Sequence, residues 1–177
     1  MNVQAVKHEV GRVMDQMPYG LYIVGSGSGN DVNGMMADWV MQVSFNPRLV
    51  AVAFENDAHT LANLRSHPFF TINFLSQDDE GMHLAAKFAQ PYLGSKVSGR
   101  AGEAIRRVHH KLEAIPYRHT QGGCPILDNA MAWLECEASA FTPAGDHTLV
   151  IGEVLDGAIV REVEPLTSGY TGWTYSG

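Results

Sequence analysis

The run "RLVAVAFEN", residues 48–56, narrows the possible folds more than any other stretch of this chain. Leu49, Val50, Ala51, Val52, Ala53 and Phe54 are consecutive apolar residues, which predicts a strand covered on both faces. Strand signals recur around it. Tyr19–Val24 reads as a strand entering the glycine- and serine-rich turn 25–30. "DVNGMMADWVMQVSFNP" resumes extended character, so the two predict a hairpin with a long loop. In "FFTINFLS", Phe70, Ile72 and Phe74 alternate with Thr71 and Asn73. "MAWLECEASAFT", "HTLVIGEV" and "GAIVREV" add further strands.

Three segments carry helical spacing instead. Val3, Val6, Val10, Val13 and Met17 recur every three or four residues, which predicts an amphipathic helix within 1–18 lying against the rest, with Pro18 helping to end it. "AHTLANLRSHP" predicts a short helix capped by His59 or Thr60, with Leu61 and Leu64 inward. "DEGMHLAAKFAQPYLG" reads as helical to about Gln90. A helical insertion is expected over 99–111 and an irregular tail over 165–177. Short strands with a few helices between them predict a mainly β fold, an antiparallel barrel with helical decorations.

The 177 residues fit one domain, 1–177. Nineteen acidic against twelve basic residues give a formal net charge of −7. That balance argues against a broad nucleic-acid surface but leaves room for a local basic pocket. There is no apolar h-region near the start and no run of about 18 apolar residues, so neither a secretory signal nor a membrane span is expected. Cys124 and Cys136 are not spaced as metal ligands; two reduced thiols in a cytoplasmic protein are expected, with Cys136 packing as a small hydrophobe.

The familiar catalytic signatures are missing: no GxSxG, HExxH or P-loop pattern occurs. The eight histidines are scattered, and none is spaced for zinc. His109, His110, Lys111, Arg106 and Arg107 read as a solvated face. More informative is the apolar strand ending in "ENDAHT", which opens a helix. A helix N-terminus carries free N–H groups and positive dipole charge, so it suits a phosphate, with Asn56, His59 and Thr60 as side-chain donors. A turn with an ordinary N-cap is the competing reading. In "AGDHTLVIGEVLDG", Asp146 forms a turn that aims His147 at the lip of a strand, and Gly152 marks a close approach by a ring or backbone.

Taken in order, "GMMADWVMQVSFNPRLVAVAFENDAHTLANL", "FFTINFLS", "LAAKFA" and "GDHTLVIGEV" resemble the flavin reductase-like family, the FMN-binding split-barrel oxidoreductases that include flavoredoxins. The matching segments run from about Tyr19 to Gly157. The resemblance implies a split β-barrel of about six strands with Greek-key connections. It implies FMN, or FAD, near the interface of a homodimer, with NADH or NADPH giving a hydride to flavin N5. By position, Met36, Ala37, Asp38 and Trp39 would lie beside the isoalloxazine, with Ser44 and Asn46 near its edge. Asn56, Ala58, His59 and Thr60 would hold the phosphate. Lys87 and Phe88 would approach the flavin from a helix end, and His147 would meet the nicotinamide or the flavin rim. No metal is implied.

The chain departs from the family pattern at Asp38, where a small hydroxyl residue is usual, and at Arg48, which replaces the second proline of the corner. A carboxylate beside a ring that becomes anionic on reduction is unfavourable unless it points away. Trp39 suits either stacking on the ring or packing in the core or an interface. The tail aromatics Tyr170, Trp173 and Tyr175 suit packing. Three functions are compatible with these residues: an NAD(P)H-dependent flavin reductase, an FMN electron carrier fed by a protein redox partner, and a flavin-binding module without turnover.

Overall fold

The computed structural model describes residues 3–89 and 111–173. Seven strands form one antiparallel sheet: β1 (Tyr22–Ser26), β2 (Asn33–Ala37), β3 (Val40–Phe45), β4 (Arg48–Glu55), β5 (Phe69–Phe74), β8 (Ala132–Ala144) and β9 (His147–Ile159). A small ribbon pairs β6 (Tyr117–His119) with β7 (Pro125–Leu127). The helices are α1 (Val3–Met14), α2 (His59–Ser66), α3 (Asp79–Phe88) and the single-turn α4 (Ser168–Thr171).

The sheet order is β2-β1-β5-β8-β9-β4-β3, which puts β2 and β3 at opposite edges. Only Asp38 and Trp39 connect them. Three Cα–Cα steps reach at most about 10 Å. Six inter-strand spacings in a flat sheet would separate the edges by roughly 29 Å. The sheet therefore curls until its edges meet, and the barrel is split along the β2/β3 seam. The long β8–β9 hairpin sits between β5 and β4, so sequence neighbours are not always sheet neighbours. The main sheet has seven strands where about six were expected. "GMMADWVMQVSF" is two strands across the seam, and "GAIVREV" is partly the continuation of β9.

Two apolar cores follow from strand alternation. Val24, Val50, Val52, Phe54, Phe70, Ile72, Cys136 and Val150 pack inside the curl, with Leu61 and Leu64 of α2. Ile23, on the other face of β1, packs with Leu84, Ala85 and Phe88 of α3, Leu127 and Leu166. Gly152 leaves room for the buried Phe70 ring; a Cβ there would lie 2.5 Å from it. This is the close approach expected at that glycine. Gly27 turns the chain out of β1 at φ +85, where Asp31 O would lie 1.9 Å from a Cβ.

β4 is covered on both faces over its middle: Val50, Val52 and Phe54 are buried in the core, and on the other face Ala51 is 2% exposed while Leu49 and Ala53 on either side of it are half-buried. Other expectations need correction. Val10, Val13 and Met14 of α1 are exposed, so this part of the helix does not lie against the barrel. The helix ends at Met14. Lys111 is buried rather than solvated; its Nζ donates to Phe88 O at 3.1 Å, and burial pushes its pKa down to about 8. The rest of the segment expected to be helical, 99–110, and Tyr175 lie outside the described residues. Ser168–Thr171 in the tail forms one helical turn capped by Thr167.

Candidate functional site

The seam and the end of β4 meet at one place. Glu55, the last residue of β4, pairs with His147, the first of β9. Asn56 then ties this corner together. Its backbone N–H donates to Asp146 O at 3.0 Å, its Nδ2 donates to Gly145 O at 3.2 Å, and its Oδ1 accepts from the Thr148 hydroxyl at 2.8 Å. Asn56 thus clamps the β8–β9 turn to the end of β4. Its Oδ1 is engaged by the protein itself, so its first role is to position His147.

The His147 ring is held from two sides. Nδ1 lies 2.7 Å from Asp146 Oδ1 and donates to that carboxylate. This hydrogen bond, helped by the charge of the imidazole when protonated, holds the Asp146 carboxyl below its usual range. The Trp39 indole packs on the imidazole at a centroid distance of 4.8 Å and a tilt of 41°. Tyr19 lies beyond Trp39, with centroids 6.5 Å apart. The His147 side chain is 12% exposed, while Asp146 is 94% exposed.

Burial holds the Asp38 carboxyl above its ordinary range, only partly offset by the backbone N–H groups of Asp38 and Trp39 and the nearby charge of His147. Backbone hydrogen bonds fix the two-residue link itself. Val40 N–H donates to Asp38 O at 2.9 Å, and Ala53 N–H donates to Trp39 O at 3.1 Å. The link backbone is pinned on both sides, which fixes the base of the indole.

Helix α2 begins four residues after β4 ends. Its N-cap is Ala58, not His59 or Thr60 as expected, and Ala58 supplies no side-chain acceptor. Thr60 is buried in the first turn, and His59 Nε2 lies 3.6 Å from Asp31 across the 29–31 turn. A first turn without a capping side chain keeps N–H groups available for an external anion.

The remaining candidates lie elsewhere. Ala37 is buried in the barrel core, and half-buried Met36 packs against the second core. Ser44 and Asn46 lie near the β3–β4 turn, at the far end of β4. At about 3.3 Å per residue, that eight-residue strand puts roughly 25 Å between them and Asn56. Phe88 is buried against Gly34, and Lys87 donates from Nζ to Glu113 O. Hydrogen bonds and ring contacts join Trp39, Asn56 and His147 at one corner, with Asp38 in the same link and Ala58 two residues beyond Asn56; His59 instead faces Asp31, before the start of β2, Thr60 is buried, and Ser44, Asn46, Lys87 and Phe88 lie elsewhere. Tyr19 was missed by sequence reasoning, since nothing near it in the chain signals a ring contact twenty residues away.

Both cysteines are free and buried. Burial, with the charge of Glu135 adding to it, pushes each thiol up to about 12, so neither is a nucleophile. Among the described residues there is no group of side chains able to hold a metal ion, and no helix long and apolar enough to cross a membrane.

Comparison with known proteins gives this corner a context. The chain is 28% identical over 160 residues to the high molecular weight rubredoxin of Moorella thermoacetica, covering 90% of this chain but 64% of that one. It is 26% identical over 165 residues to a flavin reductase of Pseudomonas putida, covering 91% of this chain and 86% of that one. It thus spans less than two thirds of the rubredoxin, and 26% of Diflavin flavoprotein A 1 of Synechocystis. Among solved structures, flavin reductase PheA2 superposes with a TM-score of 0.68 at 27% identity, over 94% of this chain and 93% of that one. Flavin reductase HpaC, solved with NADP+, gives a TM-score of 0.71 at 25% identity, over 91% and 92%. The model of the flavin reductase like domain matches residues 14–174, from the end of α1 through every strand of the split barrel, and the chain belongs to that family.

Proposed function

We propose that this protein is an NAD(P)H:flavin oxidoreductase whose site is the corner where the β2/β3 seam meets the start of α2. One observation carries the reading: Asn56, two residues before the Ala58 cap that gives α2 no side-chain acceptor, clamps the turn of a histidine held by Asp146 and packed on Trp39. An anion-accepting turn beside an aromatic ledge fits a ligand with a phosphate at one end and a planar ring at the other. The donor set fits a flavin mononucleotide, and an FAD extends from the same phosphate.

A flavin held here would supply two-electron chemistry, with a nicotinamide as hydride donor. The chain's own residues bind and orient. The first turn of α2, with His59 and Thr60, holds the phosphate. Trp39 offers an aromatic face. His147, oriented through Nδ1 by Asp146, presents Nε2 to the reacting rings. No side chain has to supply a proton to the hydride itself.

His147→Ala should lower the rate of hydride transfer more than it weakens flavin binding. Stopped-flow reduction at saturating NADH, set beside flavin titration by fluorescence, measures the two effects separately. An unchanged reduction rate would remove His147 from the mechanism.

A second reading, the electron carrier, is supported by similarity to the rubredoxin and the diflavin flavoprotein, of which the chain covers 64% and 26%. In that case a protein donor reduces the flavin and nicotinamides act slowly. A flavin-binding module without turnover would respond to neither donor. We infer a homodimer as well, supported by the exposed apolar residues Met41, Val43 and Phe45 on edge strand β3. Free buried thiols support a cytoplasmic location.

A further inference from the structure

A groove of about 1310 Å³ opens at the end of the barrel away from His147. Asp156 on its wall is nine residues further along β9, roughly 30 Å from His147 at the rise of a strand. Phe74, Leu134 and Val154 line the groove and also pack on the barrel core, so its floor is apolar. Leu155, Ile159 and Val163 line it as well and remain exposed. Small-molecule pockets span about 300–1,000 Å³ and enclose most of their ligand; this groove is wider and suits a turn of chain. Its rim is acidic. Asp156, Glu162 and Glu164 stand on it, while Arg161 is turned to Asp78 at 3.5 Å and Glu80 at 3.8 Å. Arg48 lines the groove too, yet among the described residues it forms no ion pair with these carboxylates.

Phe45 is the Cα partner of Arg48 across the β3–β4 turn. At 87% it is the most exposed large apolar side chain among the described residues. The corner 45–48 thus carries a bare ring and a cation side by side, and the groove beside it offers an apolar floor and acids. Within one copy neither match is made: Phe45 stays in solvent and Arg48 stays apart from the rim. We propose that Phe45 and Arg48 of one copy dock in this groove of a second copy, Phe45 on the apolar floor and Arg48 at the acidic rim, with the same contact made in return. Corner and groove adjoin on one surface, so a two-fold axis between them satisfies both contacts at once. This rests on the homodimer reading and goes beyond it by naming what the β3 edge meets. It also gives a role to Arg48, which departs from the family pattern.

Sedimentation velocity of the intact protein tests this with two charge reversals. Arg48→Glu sets an acid against the partner's acidic rim. Glu162→Lys/Glu164→Lys sets lysines against the partner's Arg48. Each variant alone should weaken the dimer by at least about tenfold. An equimolar mixture of the two should recover a dimer of near wild-type strength, because both contacts then join opposite charges. Recovery on mixing cannot come from repair of a misfolded chain, since neither sequence changes. Phe45→Ala should weaken the dimer with an unchanged circular dichroism spectrum. A wild-type protein that stays monomeric defeats the homodimer reading, and this contact with it. A dimer that both reversals leave unchanged, or that they weaken and the mixture does not recover, overturns the groove contact and leaves the homodimer reading standing.

Discussion

At the scale of single residues, the account turns on which side chains the fold has already engaged. Asn56 is the clearest case. As a donor after an apolar strand it reads equally well as a phosphate ligand or a turn-former; the three hydrogen bonds to Gly145, Asp146 and Thr148 make it the clamp of the histidine turn. Gly152 is demanded by packing. Its missing side chain admits the Phe70 ring at the centre of the barrel, where Phe70 is fully buried. Gly152→Ala should therefore destabilise the protein by about 1–3 kcal/mol through overpacking. Urea unfolding followed by circular dichroism measures this, and a wild-type midpoint would show that the ring has room to yield. The glycine's role was legible in the sequence because a glycine inside an otherwise apolar strand already implies a close neighbour. Trp39 and Tyr19 were not legible as a pair, because their contact depends on how β1 and β2 wrap into the seam.

At the scale of elements, hairpins and periodicities read well, while caps and edges did not. The β1–β2 hairpin, the β5 alternation and the two amphipathic helices α2 and α3 follow from local residue order. The division of "GMMADWVMQVSF" into two edge strands follows from barrel closure, which no local pattern contains. Helix α3 contrasts with α2 at its start. Asp78 caps α3 by accepting from Gly81 N at 2.9 Å, and that bond, with Ser76 and Arg161 nearby, holds its carboxyl below the ordinary range. A depressed carboxyl contributes its stability above the unfolded-state pKa, near 3.9, and loses it as pH falls through the lower native value. Asp78→Ala should cost about 1 kcal/mol as a lost N-cap. Asp78→Asn keeps a capping oxygen and should differ from wild type at pH 6 by more than at pH 3. Chemical unfolding at the two pH values tests this; a gap that widens toward acid would reverse the sign and refute it.

At the scale of the whole molecule, the split is the organising feature. Curling brings the sheet edges together at Asp38–Trp39, and the same closure sets the β8–β9 turn beside that seam. Met41, Val43 and Phe45 of edge strand β3 remain exposed, Phe45 at 87%. A second copy seated on this edge would cover them. Analytical ultracentrifugation should find a dimer in the wild type and a shift to monomer in Met41→Glu/Phe45→Glu; a wild-type monomer, or an undisturbed dimer in the variant, would place the contact elsewhere or remove it. The most direct test of the central claim is anaerobic stopped-flow absorbance of the intact protein loaded with FMN and mixed with NADH or NADPH. The account predicts bleaching of the flavin band by at least one of the two nucleotides in a phase that saturates with nucleotide concentration. Flavin that binds but is bleached only by dithionite would contradict it.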